Sequence, residues 1–310
     1  MSETLNPVKR QSTVNAPALF AGVALHGGEH VRVAMKPAPT GTGVVFIRTD
    51  IKDRNNQIHV RPDIVTDVKN CTTLSNAAGV TVSTIEHLMA ALCASGIDNL
   101  FVELDGPEIP ALDGSARPFQ KLIEQVGLKV QPAARRYIRA LKTVEVAYGK
   151  SFGRIEPADR LQLDVTIDFD DEAIGRQSLF FEPSVRSFRD RLAAARTFAR
   201  AHEVDALLRA GLSKGGSLDN AVIVDGDKVL NPEGLRYADE FVRHKTLDLM
   251  GDLYTAGPLL ARVTTLRGGH GLNHALLMKF FANSEAWAFE TLSVPSDLLQ
   301  NSQSLTSARA

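Results

Sequence analysis

The sequence predicts an α+β protein with room for about two domains, in which strands are followed by helices. Three observations carry that expectation. A chain of 310 residues has room for about two ordinary hydrophobic cores. Alternation of apolar and polar residues, the mark of a half-buried strand, occurs at Val31, Val33 and Met35 and again at Leu161, Leu163, Val165, Ile167 and Phe169. In each half the strand-like run gives way to helical spacing, at residues 83–94 and 237–256. The element order of the first half recurs in the second, but the halves share no visible residue-level repeat, so the sequence itself does not show a duplicated architecture.

Taken in order, the strand at Val31 to Met35 is followed by a Pro/Gly-rich turn and a second strand over residues 43–49. Residues 83–94 read as a helix with Ser83 as N-cap, Leu88, Ala91 and Leu92 on one face, and Gly96 as the stop. Leu100, Val102 and Leu104 return to alternation, and residues 118–126 form a second helix. The Pro- and charge-bearing stretch 129–136 is the expected domain boundary, dividing the chain into 1–132 and 133–310, because strand pattern restarts at 137–148. Beyond it lie a helix at 185–195, two short strands around Asp225-Gly226, and the strongest helix of the chain at 237–256.

Composition narrows the function. With 44% hydrophobic and 23% charged residues the chain is globular. Lys and Arg number 35 against 36 Asp and Glu, so no overall field draws it to nucleic acid or an anionic membrane. Two cysteines, Cys71 and Cys93, are too few for a disulfide scaffold and point to a reducing compartment. The start lacks the apolar stretch of a secretory signal, and no apolar run approaches the roughly 20 residues of a membrane span. The expectation is a soluble cytoplasmic protein, with balanced charge favouring a monomer.

The helix at 237–256 is apolar almost all round beyond Lys245, yet it carries His244 and Asp248 at i and i+4 and Asp252 one turn on. Buried acids need partners. A salt bridge between His244 and Asp248 would supply one; a divalent metal would satisfy both side chains, since an imidazole and a carboxylate one turn apart can share one ion. Glu86 fits a capping box with Ser83, and His87 fits a core histidine. In the chemical reading, His87 is the third ligand of a metal with one open position, and Glu86 is the general base for a water there. His270, flanked by glycines in Arg267-Gly268-Gly269-His270-Gly271, suits an acid that protonates a leaving nitrogen, and Asp252 suits its charge partner.

An ordered set of segments spans the chain from about Val8 to about Trp287. They are Gly22-Val-Ala-Leu-His26, Ser83-Thr-Ile-Glu-His87, Asp98-Asn, Asp105-Gly-Pro-Glu-Ile-Pro110, Leu112-Asp-Gly-Ser-Ala116 and Ala195-Arg-Thr-Phe198. Gly215-Gly-Ser217, Asp239-Glu-Phe-Val-Arg-His-Lys245, Leu247-Asp248, Gly251-Asp-Leu253 and Gly269-His270 complete the set. Together they resemble the UDP-3-O-acyl-N-acetylglucosamine deacetylases, zinc-dependent amide hydrolases of lipid A biosynthesis. The resemblance implies an α+β fold of two similar domains, each a β-sheet packed on a pair of α-helices, with the active site between the helix layers, and one Zn2+ per chain on His87, His244 and Asp248, ligands that also suit Fe2+. It implies Glu86 as general base, His270 as the acid or charge stabiliser with Asp252 as its partner, and Thr197 as a hydroxyl at the oxyanion. Phe169 and Phe198 would meet the nucleotide-sugar and Lys245 a phosphate. Residues 199–224 would form an inserted passage for the acyl chain, lined by Val204, Leu207, Leu208 and Leu218. Three positions depart from the family pattern: Ala24, Ala199, and Arg267, where a lysine is usual before the Gly-His turn. Arg267 keeps the charge for the diphosphate with a different geometry.

Overall fold

The computed structural model describes residues 10–292; the polar tail after Asp297 and the residues around Val8 lie outside that range. The first half of the chain forms β1 (Arg10–Val14), β2 (Ala18–Val23), β3 (His30–Pro37), β4 (Val44–Arg48), β5 (Gln57–His59), β6 (Val65–Asp67), β7 (Thr73–Ser75) and β8 (Thr81–Val82). It continues with α1 (Glu86–Ser95), β9 (Leu100–Leu104), α2 (Arg117–Val126) and β10 (Leu128–Ala134). The second half begins with β11 (Arg136–Ala140), β12 (Val144–Tyr148), β13 (Ser151–Pro157), β14 (Gln162–Asp168), β15 (Arg176–Phe181), α3 (Val185–Arg191), β16 (Phe198–Arg200) and α4 (Ala201–Arg209). β17 (Val222–Asp225), β18 (Lys228–Val229), α5 (Glu240–Tyr254), β19 (Leu259–Leu266), α6 (His270–Ala282) and β20 (Trp287–Thr291) complete it.

The two halves are built on one plan. The first sheet runs β2-β3-β9-β4-β5, and the second contains β12-β13-β19-β14-β15 in the matching order. In both, the first three strands run antiparallel neighbour to neighbour, the fourth runs parallel to the third, and the fifth antiparallel to the fourth. A parallel pair needs a crossover connection, and in each half that connection carries a helix, α1 before β9 and α5 before β19; α2 and α6 then follow. Each crossover also carries an insert at the same point of the plan: the three-stranded β6-β7-β8 sheet, and a larger unit of α3, α4 and the β16-β17-β18 sheet. β11 and β20 widen the second sheet to seven strands, while β1 and β10 pair with each other.

The helices meet where the sequence is most apolar. Nine of the ten residues of α1 are buried, and Leu247, Leu249, Met250 and Leu253 of α5 are all but sealed from solvent. Each such side chain stabilises the fold by roughly 1.5–3 kcal/mol through burial. Gly251 sets the approach, for a Cβ there would stand 2.0 Å from the Glu86 carbonyl oxygen. Only glycine lets α5 cross α1 this closely.

Several element boundaries differ from the sequence reading. The first helix starts at Glu86, with Ile85 in the N-cap position and no side-chain cap, so Ser83 neither caps it nor forms a capping box. Thr84 has a φ of 56° and gives its hydroxyl to Glu108, while Ser83 bridges to Glu108 beside the sheet edge. A real capping box occurs at Ser184 with Ser187, where α3 ends at Arg191 rather than 195. The stretch 129–136 is no pause in strand structure: it is mostly β10, paired with β1, and 137–148 holds parts of two strands. The long helix spans Glu240–Tyr254, inside the expected 237–256.

Candidate functional site

The first turn of α1 and the middle of α5 face each other across the Gly251 contact. His87, His244 and Asp248 offer ligand atoms that all lie within 4.8 Å of one another. They are 4%, 1% and 2% exposed, so nothing about the cluster is a surface accident. The Nε2 atoms of His87 and His244 stand 3.6 and 3.3 Å from Asp248 Oδ1. That oxygen is buried without a hydrogen-bond partner, while Oδ2 accepts from Lys245 Nζ at 2.8 Å. A buried orphan acceptor is costly; here it is aimed at two imidazole nitrogens, as a cation between them would require. His244 Nδ1 is 3.1 Å from the Ala195 carbonyl, which fixes the Nδ1–H tautomer and leaves Nε2 its lone pair. Burial lowers the His244 pKa to about 3, overriding Asp248, so the ring is neutral as a ligand must be. Burial opposes the Asp248 charge as well, but His244 and Lys245 hold its pKa well below the usual range. The donor set, two neutral imidazoles and one carboxylate, fits a divalent metal.

Beside the cluster lies a chain of titratable groups. Glu86 is 3% exposed, and burial raises its pKa. Its Oε2 accepts from the Thr72 backbone N–H at 3.1 Å, and Oε1 is 3.9 Å from His270 Nε2. His270 opens α6, and its Nδ1 is 2.8 Å from Asp252 Oδ2. Asp252 Oδ2 also accepts from Asn273 Nδ2 at 2.8 Å, and Oδ1 from the Thr72 hydroxyl at 2.6 Å, which stands 3.4 Å from His270 Nδ1. Burial opposes a charge on His270, but Asp252 and then Glu86 outweigh it and raise the pKa to about 10. The ring is therefore cationic at neutral pH.

The segment before β16 is locked to the start of α5. Arg196, 1% exposed, donates from its backbone N and Nε to Glu240 Oε1, each at 2.9 Å, and Arg236 ties the same Glu240 to Asp113 of the first half. This places the Ala195 carbonyl on His244. Thr197 follows, its N–H on the Gly114 carbonyl at 2.8 Å.

A cavity of about 730 Å3 opens onto this arrangement. Thr197, Phe198, Lys245, Arg267 and His270 line it, and Val204, Leu207, Leu208 and Leu218 form its apolar arm. Phe169 does not line it but packs edge-on against Phe198, centroids 5.7 Å apart. Lys245 lies 5.4 Å over the Phe198 ring. Arg267, with a φ of 50°, is held by Asp168 through Nη2 at 2.9 Å and Nε at 3.3 Å.

Sequence reasoning assigned no role to four residues of this neighbourhood. Thr72 and Asn273 hold Asp252. His26 lines the cavity with both ring nitrogens buried and unpartnered, its backbone N–H on Glu108 at 2.9 Å. His26 and Glu108 stand in motifs that gave a signal; Thr72 and Asn273 sit in stretches with no chemical pattern.

The sequence of the chain is similar to that of known proteins. The model of the family described as UDP-3-O-acyl N-acetylglycosamine deacetylase matches residues 11–282. The chain is 50% identical over 282 residues to the UDP-3-O-acyl-N-acetylglucosamine deacetylase of Phenylobacterium zucineum (strain HLK1), covering 91% of this chain and 96% of that one. It is 43% identical to the protein of that name from Chromobacterium violaceum, covering 93% and 95%. To the one from Pseudoalteromonas translucida it is 42% identical, covering 92% and 95%. With the match running through both sheets and every helix, this chain belongs to the UDP-3-O-acyl N-acetylglycosamine deacetylase family.

Proposed function

We propose that the chain hydrolyses the acetamide of UDP-3-O-acyl-N-acetylglucosamine, giving acetate and the free 2-amino sugar, with one zinc ion on His87, His244 and Asp248. The orphaned Asp248 Oδ1, facing two imidazole nitrogens beside a buried acid and a cationic histidine, is the observation that carries this reading. Zinc, when bound, supplies Lewis-acid polarisation and makes water a nucleophile near neutral pH; iron(II) suits the same ligands.

The protein's own groups then divide the proton transfers. Glu86, whose burial raises its proton affinity, takes the proton of the attacking water. The water oxygen bonds to the acetamide carbon, and the Thr197 hydroxyl on the cavity wall donates to the oxyanion. His270, cationic through Asp252, gives its Nε2 proton to the nitrogen as the C–N bond breaks, because an amine anion is too basic to leave. Lys245, Phe198 and Arg267 contact the nucleotide-sugar, with Phe169 backing Phe198. The acyl chain lies along Val204, Leu207, Leu208 and Leu218. The two units divide near residue 132, and the protein works as a cytoplasmic monomer. Among the described residues no helix is long and apolar enough to cross a membrane.

The test is acetate release from this substrate by metal-stripped protein, with and without about one equivalent of zinc, beside His244→Ala. The reading requires zinc-dependent release that the substitution abolishes. Nucleotide-sugar binding without release by folded, zinc-loaded protein would instead make the chain a binding module.

A further inference from the structure

We propose that Thr72 is a positioning residue that holds the base and the acid of this site in register from an insert outside both helix layers; this rests on the deacetylase reading above. Thr72 is 3% exposed and sits just before β7, in the β6-β7-β8 insert. It reaches two carboxylates at once. Its backbone N–H donates to Glu86 Oε2 at 3.1 Å, and its hydroxyl donates to Asp252 Oδ1 at 2.6 Å.

Each bond leaves one oxygen for chemistry. With Oε2 engaged, Glu86 keeps Oε1, the oxygen 3.9 Å from His270 Nε2, available to water. With Oδ1 engaged, Asp252 turns Oδ2 to His270 Nδ1 and to Asn273 Nδ2, both at 2.8 Å. A carboxylate is a planar two-oxygen acceptor, so fixing one oxygen fixes the direction of the other. Glu86 extends from α1 and Asp252 from α5, with His270 on α6. Among the described residues Thr72 is the one whose donors reach both acids. Its β-branched side chain has few rotamers to lose, which suits a fixed double contact.

The experiment compares Thr72→Val and Thr72→Ser in the full-length, zinc-loaded protein. Valine keeps the shape and the backbone N–H but not the hydroxyl; serine keeps both donors. Thr72→Val is expected to lower kcat about tenfold to a hundredfold, part of the range general acid–base groups contribute. KM and zinc affinity in chelator competition should stay at wild-type values, while the thermal midpoint falls modestly because the buried Asp252 Oδ1 loses its donor. Thr72→Ser is expected within about threefold of wild type, since both donors remain. In a His270→Ala background, Thr72→Val should cause little further loss, because its effect passes through the Asp252–His270 pair. Wild-type kcat in Thr72→Val, a serine variant as slow as the valine one, or full additivity with His270→Ala would overturn the proposal. Thr72→Ala repeats the measurement with a smaller side chain should the valine variant not fold. A second readout needs no turnover: in metal-free protein the Nδ1 proton resonance of His270 should move in Thr72→Val and stay put in Thr72→Ser. An unmoved resonance refutes the contact. Absence of acetate release from the wild-type protein refutes the deacetylase reading and leaves this readout standing.

Discussion

The two halves of the chain share one strand order, one helix plan and one insertion point, yet they contribute different chemistry. From the first half come Glu86 and His87, side by side in the opening turn of α1. From the second come His244, Asp248 and Asp252 along α5, and His270 at the start of α6. The inserts diverge further. The first is a small sheet whose Thr72 ties down two acids, while the second carries α4, which has no buried residue, and leaves Leu208 of that helix and Leu218 of the following loop exposed along the cavity. The shared plan thus supplies a frame, and the site is assembled at the seam between the halves, where neither half holds all of these groups. The seam is over-determined by buried contacts; the cavity arm is built from half-buried and exposed side chains.

That contrast predicts graded effects. Substitution at the seam should strike chemistry hardest: Glu86→Gln is expected to reduce kcat by about 10²–10⁴-fold with zinc affinity retained, measured by acetate release and chelator competition. A variant within tenfold of wild type would remove Glu86 from the role of base.

The charge on His270 should appear as a pH-dependent stability contribution in metal-free protein. Its folded pKa of about 10 lies above the ordinary 6.5, so the stabilisation is fully present below about 6.5 and is lost as pH rises through about 10. The stability gap between wild type and His270→Ala, on the order of a few kcal/mol at neutral pH, should therefore shrink between pH 7 and 11 in urea titrations. A gap independent of pH would mean that the ring is neutral in the fold.

Packing at the crossing should cost stability in its own right. In Gly251→Ala the new methyl meets the Glu86 carbonyl at 2.0 Å, and separating α5 from α1 should cost about 3 kcal/mol, read as a lower urea midpoint. An unchanged midpoint would show that the helices can part without penalty, contrary to a rigid seam.

The cavity arm should respond least and most selectively. Leu207→Ala is expected to lower kcat/KM by about tenfold for a long-chain substrate, equivalent to about 1–2 kcal/mol of lost apolar burial, and to leave a short-chain substrate unaffected. Equal loss on both would place Leu207 in the frame rather than along the acyl chain.

Much of the frame was legible in the sequence because it is local. Alternation at Val31 to Met35 and at Leu161 to Ile167 became β3 and β14, and the apolar helix around His244 became α5. What misled was also local. Ser83 and Glu86 have capping-box spacing, but Thr84 takes a left-handed backbone and Glu86 finds the Thr72 amide instead. A tertiary acceptor or donor outcompetes a weak local one whenever the chain can reach it. Residues 129–136 looked like a linker because proline and charges mark loops, yet the stretch is mostly strand, paired at the other end with β1.

The sequence by itself determined the strand and helix periodicities, the i, i+4 spacing of His244 and Asp248, and, through its ordered motifs, the family. These follow from covalent neighbours, whose separations are set by helix and strand geometry alone. Only the tertiary structure decided that α1 and α5 meet at Gly251, that Asp248 Oδ1 is left without a donor, and that Thr72 reaches Asp252 across 180 residues of chain. Such contacts depend on where two packed sheets bring their helices. No window of sequence short enough to read as a pattern contains both partners.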